Sequence, residues 1–285
     1  MIAGIVKVID PGFYSSIQDM GRFGFATYGV PFSGAMDQNS FRLANALLNN
    51  EENDACIEWV YRPPILQFSK ETVISVTGAM ASCFLNGNKI NLNCQVKVNK
   101  NDIFSASFCK NYKYGYVGIV KGFMSDMRLN SRSFYHGVTQ NGVLKKDDEI
   151  DYQECINFTE KFSSISSNTL LQNSNELLVY RGPEFVLLSN DQKHDLLNTE
   201  FTISSVANRM ALQLTEQLPN NLPSILTSPV LPGTIQLTPS GKMIVLMRDC
   251  QTTGGYPRIL QLSQDAISAI VQKRASEKCT FKLIS

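Results

Sequence analysis

The chain has 285 residues, 43% of them hydrophobic, and its 26 basic and 25 acidic residues leave a formal charge of +1. A chain of this size can bury a substantial core, so we expect a soluble globular protein with one large β unit or two smaller domains. Because the basic residues are scattered, the charge argues against nucleic acid or a membrane surface as a partner. The cysteines form no CxxC pair or Cys/His cluster, so we expect reduced thiols in a cytoplasmic protein and no bound metal.

Short segments rich in Val, Ile, Phe and Tyr recur along the chain and predict β-strands. The first of them, "GIVKVI", fits a strand better than a signal peptide. No stretch is long and apolar enough to span a bilayer. The predicted strands cover residues 4–9, 72–78, 115–122, 176–182, 241–247 and 279–284.

Helical spacing is scarcer and is clearest over residues 37–50, where Phe41 and Leu47 lie among apolar residues of one face. Asp37 is placed to cap the first turn of this helix. A second helix is predicted within residues 263–276. Since strands and long helices do not alternate, we predict a mainly β fold, either an antiparallel barrel or a barrel-like pair.

Residues 157–176 are dense in Ser and Asn and show little periodicity. We interpret this stretch as a mobile connector, with an ordered surface loop as the alternative. It divides the chain into a predicted N-terminal unit, 1–165, and a predicted C-terminal unit, 175–285.

The first dense motif is "SIQDMGRFGFATYGVPFSGAMD" (16–37), in which glycines surround polar side chains. Repeated glycine permits positive φ and close approach of the backbone to a ligand, and Arg22 offers a fork for a carboxylate or phosphate. These features indicate a binding loop. In the alternative interpretation, Asp19 and Arg22 pair with each other and the glycines only turn corners. The chain contains no GxxxxGK[ST] phosphate loop.

A second cluster, "EWVYRPPILQF" (58–68), contains the only tryptophan, Trp59. Glu58 is a candidate acid or base if it is buried beside Arg22 or Arg62. In the alternative interpretation it is a solvated or paired structural residue.

A third group of polar residues lies between apolar strands in the segments 204–214 and 228–259. Polar side chains at strand ends commonly line a pocket, because the strands hold their loops rigidly and leave them accessible. In the alternative interpretation, Asp249 caps a turn and "TTGG" is a β-bulge loop. His136 and His194 have no partner at a diagnostic spacing, so a hydrolase triad has no support.

Several blocks, in the same order along nearly the whole chain, resemble the family of the 5-oxoprolinase C subunit (PxpC/KipA-like). The most specific are "QDMGRFGFATYGVPFSGAMD" and "DCQTTGGYP", accompanied by "ACIEW", "YRGPE", "SSVANRM" and "SPVLPGTIQLTPSG". That family includes biotin-dependent carboxyltransferase-like proteins, part of urea amidolyase, and the KipA-like antagonist of a sporulation kinase inhibitor.

The resemblance implies two cyclophilin-like β-barrel units with a few short helices, and a protein that is inactive alone. With the A and B subunits of 5-oxoprolinase, the latter KipI-like, it would form a hetero-oligomer that opens 5-oxo-L-proline to L-glutamate, using ATP held by the complex. By similarity, the catalytic residues are Arg22, Asp37, Arg209 and Asp249. The substrate-binding residues are Gln18, Asp19, Ser33, Asn45, Glu58, Asn208, Gln236, Thr252, Thr253, Gly254, Gly255 and Tyr256.

In this interpretation Arg22 or Arg209 supplies charge, and Asp249 or Asp37 transfers a proton. We expect the two glycine-rich loops, which carry Arg22 and Asp249, to face a common cleft.

The chain also departs from the family pattern, at Lys121-Gly122, over residues 134–150, and at Ala211 and Gln213. Two alternatives stay open, and the lost glycines favour the second of them. One is a carboxyltransferase component that takes CO₂ from carboxybiotin on another protein. The other is a KipA-like regulatory protein that antagonises a histidine-kinase inhibitor and needs no chemistry.

Overall fold

A computed structural model describes residues 3–109, 111–156, 158 and 175–284. Contacts between Cα atoms divide the chain into two units, residues 1–22 with 33–172, and residues 23–32 with 173–285. No sequence pattern indicated that residues 23–32 group with the second unit. The predicted connector lies outside the described residues except for 158, 175 and 176, so its character and the predicted domain limits stay predictions.

Three α-helices occur in the described part of the chain: α1 (Gln38–Leu47), α2 (Asn190–Asn198) and α3 (Gln264–Gln272). Both predicted helices are confirmed, with Asp37 capping α1 and Ser263 capping α3. Helix α2 was missed because only Leu196 of its residues is buried, which leaves almost no apolar periodicity. None of the described helices is long and apolar enough to cross a membrane.

The described strands outnumber the helices, which confirms the mainly β prediction. They are β1 (Ala3–Asp10), β2 (Ser15–Gln18), β3 (Cys56–Val60), β4 (Ile65–Phe68), β5 (Thr72–Met80), β6 (Cys83–Leu85), β7 (Asn88–Ile90), β8 (Gln95–Val98), β9 (Ile103–Ala106), β10 (Asn111–Ile119), β11 (Glu149–Gln153), β12 (Glu176–Arg181), β13 (Phe201–Ala207), β14 (Ala211–Leu214), β15 (Ser228–Pro229), β16 (Thr234–Leu237), β17 (Met243–Leu246), β18 (Thr253–Gly254), β19 (Arg258–Leu262) and β20 (Lys278–Leu283).

In the first unit the strands form two sheets that share one hydrophobic core. The six-stranded sheet has the order β11-β1-β4-β9-β6-β7, and the five-stranded sheet has the order β2-β3-β10-β5-β8. Strand β1 alternates exposed and buried residues, so Val6 and Val8 enter the core. The core also receives Trp59 from β3 and Val76 from β5, which joins residues of both sheets.

Helix α1 packs on the five-stranded sheet and explains why its central strands are buried on both faces. The Ser75 hydroxyl of β5 donates to the Ala44 carbonyl (2.8 Å), and the Thr77 hydroxyl donates to the Ser40 carbonyl (2.7 Å). The ring of Phe41 meets Tyr116 of β10 edge-on at 6.1 Å. Helix α1 therefore covers one face of the five-stranded sheet and anchors the loop that leads into the helix.

In the second unit seven strands close into a barrel of the order β12-β19-β16-β17-β14-β13-β20. Closure is made by β12 and β20, which pair in parallel from Glu176↔Thr280 to Val179↔Leu283. Helix α3 buries Ile267 and Ile270. Among the described residues, the second unit thus contains a closed barrel, whereas the first unit contains two separate sheets.

The cysteine thiols provide a test of this packing. Five of the seven cysteines are buried, and only Cys94 and Cys155 are partly exposed. Burial raises the pKa of Cys83, Cys250 and Cys279 to about 12, so these thiols stay protonated at pH 8. Burial also raises the pKa of Cys94 and Cys155, but their partial exposure leaves them accessible, so we expect these two thiols to react with a disulfide reagent at pH 8 in the native protein and the other five only after unfolding. Rapid reaction of more than two would contradict the packing.

Candidate functional site

Asp19 of the first motif is buried and holds a distant turn of the same unit. Its carboxylate accepts hydrogen bonds from the Gly21 amide (2.8 Å), the Arg132 amide (2.6 Å) and the hydroxyls of Ser131 (2.7 Å) and Ser133 (2.5 Å). Only 1% of Asp19 is exposed. Both carboxylate oxygens are therefore occupied by protein donors, and the carboxylate fixes residues 131–133.

Arg22 binds the same turn as Asp19. Its Nε donates to the Arg128 carbonyl (3.3 Å), and its Nη2 donates to the Ser133 carbonyl. Like Asp19, Arg22 is 1% exposed. Sequence reasoning did not single out residues 128–133, yet they contact both charged residues in the "QDMGR" block.

Residues 22–33 form a loop whose ends are held together. The Ala35 amide donates to the Asp19 carbonyl (2.9 Å). Gly34 has φ +87°, and a Cβ there would lie 2.8 Å from the Met20 carbonyl carbon, so only glycine fits this crossing. Ser33 also has a positive φ of 56°, and its buried Oγ has no hydrogen-bond partner among the residues described. Backbone strain of this kind is found preferentially at functional sites.

Asp37 and Glu58 are buried and support the start of α1. Asp37 accepts from the Ser40 hydroxyl (2.6 Å) and from two amides of the first turn (3.1 Å each). Oε2 of Glu58 accepts from the Met36 amide (2.8 Å) and the Tyr116 hydroxyl (2.7 Å). Burial and the nearby carboxylates of Glu58 and Asp37 raise the pKa of Tyr116 well above its usual value, so its hydroxyl remains a donor. Glu58 is 0% exposed, so within the alternative of a solvated or paired structural residue, the paired form describes it.

Gln18 and Asn45 bind backbone carbonyls in the same unit. Nε2 of Gln18 donates to the Ser16 hydroxyl (3.0 Å) and the Phe134 carbonyl (3.3 Å). Nδ2 of Asn45 donates to the Asp54 carbonyl (2.8 Å). Each amide is 1% exposed or less, and each secures a loop of the scaffold in this conformation.

Arg209 and Asp249 form a bidentate ion pair in the second unit. Nε of Arg209 lies 2.7 Å from Oδ2 of Asp249, and Nη2 lies 3.1 Å from Oδ1. The side chains are 8% and 12% exposed. The Asp249 amide also donates to the Arg209 carbonyl (2.8 Å). The pair therefore secures the start of the loop 249–258. The Asp249 carboxylate binds an arginine side chain rather than the backbone amides that a turn cap would bind.

In the middle of the loop 249–258 the backbone is hydrogen-bonded, whereas several polar side chains are not. Thr253 and Gly254 pair with β15, and the Gly255 carbonyl accepts from the Ile225 amide (3.0 Å). The side chains of Gln251, Thr252 and Thr253 make no hydrogen bond within the described parts of the chain, and Thr253 is exposed. Tyr256 is 40% exposed. The loop thus offers an amide and hydroxyls to a ligand.

Gln236 and Asn208 flank this loop in different ways. Gln236 is 2% exposed, and its Nε2 donates to the Tyr256 carbonyl (3.3 Å). A Cβ at Gly254 would lie 2.4 Å from that Nε2, so the close approach depends on glycine. Oδ1 of Asn208 accepts from the Met210 (2.8 Å) and Ala211 (3.0 Å) amides, which shapes the turn before β14.

The predicted residues fall into two sets, one in each unit. The first contains Gln18, Asp19, Arg22, Ser33, Asp37, Asn45 and Glu58, and the second contains Asn208, Arg209, Gln236, Asp249, Thr252, Thr253, Gly254, Gly255 and Tyr256. That the two loops face a common cleft stays a prediction, and so do the roles of these residues. Within the described ranges, no three His, Cys, Asp or Glu side chains are grouped to hold a metal ion.

Sequence reasoning missed one charged contact beside the second set. Arg258 binds Glu184 through two side-chain hydrogen bonds of 2.8 and 3.0 Å. Both residues occur in quoted blocks, "YRGPE" and "GGYPRI". A glutamate in one block and an arginine in another could have suggested an ion pair. Their separation of 74 residues along the chain gave no indication that they meet.

Comparison with known proteins confirms the resemblance seen in the motifs. The family model described as "Carboxyltransferase domain, subdomain A and B" matches residues 28–283. The chain is 26% identical to the 5-oxoprolinase C subunit of Haemophilus influenzae over 99% of this chain and 92% of that protein. It is 37% identical to the urea amidolyase of Saccharomyces cerevisiae over 46% of this chain but 7% of that protein.

A solved structure, that of TTHA0988, has the same fold. It matches with a TM-score of 0.86 at 23% identity, covering 98% of this chain. The chain spans about half, 56%, of the length of that protein.

Proposed function

The chain belongs to the family of the carboxyltransferase domain, subdomain A and B, and from this we propose that it is the C subunit of an ATP-dependent 5-oxoprolinase. The observation that carries the proposal is the near end-to-end similarity to the 5-oxoprolinase C subunit of Haemophilus influenzae. In the proposed complex the chain acts with the A and B subunits, and it opens 5-oxo-L-proline to L-glutamate only when they are present.

The loop 249–258 supports a role in substrate binding. A lactam amide is stabilised by resonance, and ATP, when bound by the complex, supplies activation of its carbonyl oxygen. No residue of this chain is proposed to hold ATP. The hydroxyls of Thr252 and Thr253 and the amide of Gln251 are the groups that we propose to bind the polar edge of the lactam. The Arg209–Asp249 pair, with both partners engaged at 2.7 and 3.1 Å, keeps them in position.

Thr253→Val tests the substrate-binding role of the loop. Valine preserves the β-branched shape that suits β18 and removes only the hydroxyl. We expect kcat/KM for 5-oxoproline to fall about threefold to tenfold, the value of one hydrogen bond. The measurement is ATP-dependent glutamate release by the complete three-protein mixture. Thr215→Val is the matched control, because Thr215 is an exposed threonine of the same unit. Equal activity of the two variants would remove Thr253 from the site.

A second candidate, a carboxyltransferase component, is favoured by the family description and by the similarity to urea amidolyase. In that role the chain would accept CO₂ from carboxybiotin carried by another protein, and the same loop would bind the acceptor amide. The two candidates separate in one experiment. The first requires glutamate release from 5-oxoproline, whereas the second requires label from carboxybiotin to appear on an amide or urea acceptor.

A further inference from the structure

We propose that Glu184 and Arg258 are a positioning pair that holds the loop 249–258 in its binding conformation. This inference rests on the proposed function, in which that loop binds the substrate. Arg258 lies at the end of the loop, and Glu184 lies outside it, in the turn that follows β12. The pair therefore has the same relation to the end of the loop that Arg209 and Asp249 have to its start.

Arg258 engages Glu184 through both its side chain and its backbone. Nη2 of Arg258 donates to Oε1 of Glu184 (2.8 Å), Nε donates to Oε2 (3.0 Å), and the backbone amide donates to Oε2 (2.8 Å). In return, the Glu184 amide donates to the Arg258 carbonyl (3.2 Å). The side chains of Arg258 and Glu184 are only 18% and 15% exposed. A bidentate pair of this kind combines strength with a single geometry.

The remaining nitrogen of the guanidinium connects the pair to the middle of the loop. Nη1 of Arg258 donates to the Pro229 carbonyl (2.9 Å). Pro229 lies in β15, which pairs with β18 through Pro229↔Thr253 and Ser228↔Gly254. One arginine therefore links three segments, namely the turn containing Glu184, strand β15 and the substrate loop itself.

The turn containing Glu184 can approach this closely only because Gly182 precedes it. A Cβ at Gly182 would lie 2.1 Å from the Arg258 carbonyl oxygen, closer than real Cβ contacts allow. The Gly182 amide donates to the Ile259 carbonyl (3.0 Å). The hydrogen bonds to Arg258 also lower the pKa of Glu184 below its usual value, so its carboxylate is ionised at neutral pH.

Fastening the loop has a direct consequence for binding. Gly254 and Gly255 give the loop conformational freedom that must be lost when a ligand is held. A loop that is already ordered by its own contacts binds without that loss. Loss of the pair should therefore weaken substrate binding, which raises KM, more than it slows the chemical step.

The first arm of the test uses the chain alone and measures hydrogen–deuterium exchange of Arg258→Ala, Arg258→Lys and wild type. Lysine keeps the charge but not the fork, so we expect it to behave like alanine. Exchange over residues 225–230 and 252–258 should be at least about tenfold faster in both variants, because a charge-assisted contact is lost. Exchange in β13, which pairs with β14 and β20 and not with the loop, should be unchanged. Glu176→Gln is the control, because Glu176 pairs with Lys282 at 2.9 Å with both side chains at least half exposed.

The second arm measures ATP-dependent glutamate release by the complete three-protein mixture. We expect Arg258→Lys to raise KM for 5-oxoproline about threefold to tenfold with a smaller change in kcat. Unchanged exchange in the two segments, or faster exchange spread equally over the barrel, would overturn the proposal, and so would an unchanged KM in an active mixture. If even the wild-type mixture releases no glutamate, the proposed function fails, while the exchange arm still decides whether the pair fastens the loop.

Discussion

Arg209→Ala should lower the free energy of unfolding of the second unit by about 3–5 kcal/mol, because it leaves the Asp249 carboxylate buried without its partner. The two side chains are 8% and 12% exposed and meet at 2.7 and 3.1 Å. The double variant Arg209→Ala/Asp249→Ala removes the stranded charge as well. We therefore expect it to be less destabilised than the sum of the two single variants.

Hydrogen exchange within the barrel strands, read against denaturant unfolding, measures this effect for the second unit. Lys282→Ala is the control, because its pair with Glu176 is 60% and 51% exposed and should contribute at most about 1 kcal/mol. A loss for Arg209→Ala no larger than that of the control would contradict the buried ion pair.

Asp19→Ala should be the most damaging change in the first unit, with a loss of at least about 3 kcal/mol in the free energy of unfolding. The substitution leaves two hydroxyls, of Ser131 and Ser133, and two backbone amides without an acceptor. Burying an unsatisfied donor is costly, and four donors share this one carboxylate. Asp19→Asn retains one accepting oxygen and should lie between alanine and wild type.

The measurement for Asp19 is denaturant unfolding together with exchange over residues 19–22 and 128–133. The control is Asp126→Ala in the neighbouring loop, where Asp126 is 68% exposed and pairs with Arg128 at 3.4 Å. We expect this control to change stability by no more than about 0.5 kcal/mol. Faster exchange confined to the two segments supports the assigned contacts, whereas similar stabilities for the two variants would show that Asp19 is not the anchor.

Local features of the chain were predictable because their causes are close together in sequence. Asp37 caps α1 from the adjacent position, and the valines of β1 alternate in the chain as they do in the sheet. Helix α2 was missed, although Ser189 and Gln192 form a capping box at its start. That signal occurs in a segment with one buried residue, so the apolar pattern that sequence reasoning relies on was absent.

The partners of the buried charged residues were not predicted, because they are far apart along the chain. Asp19 meets Ser133 across 114 residues, and Arg209 meets Asp249 across 40. Both members of the second pair were named as charged residues of the site, yet nothing local indicated that each engages the other. Only the folded barrel brings "SSVANRM" beside "RDCQTTGGYP".

Glu58 illustrates a different limit of sequence patterns. Glu58 and Trp59 are neighbours in β3, and neighbouring side chains of a strand point to opposite faces of the sheet. One of the two should therefore face the core and the other should face away. Trp59 does enter the core, but Glu58 is also 0% exposed. The residues leading into α1 cover the other face and bind its carboxylate, which is a tertiary effect that alternation cannot reveal.

The most direct test of the proposed role is omission of this chain from a reconstituted mixture. The A and B subunits of 5-oxoprolinase, 5-oxoproline and ATP are combined with and without the chain, and L-glutamate is measured. We predict ATP-dependent glutamate release only when the chain is present. Glutamate release that is the same without the chain, or no release from a complete and well-folded complex, would contradict the proposed function.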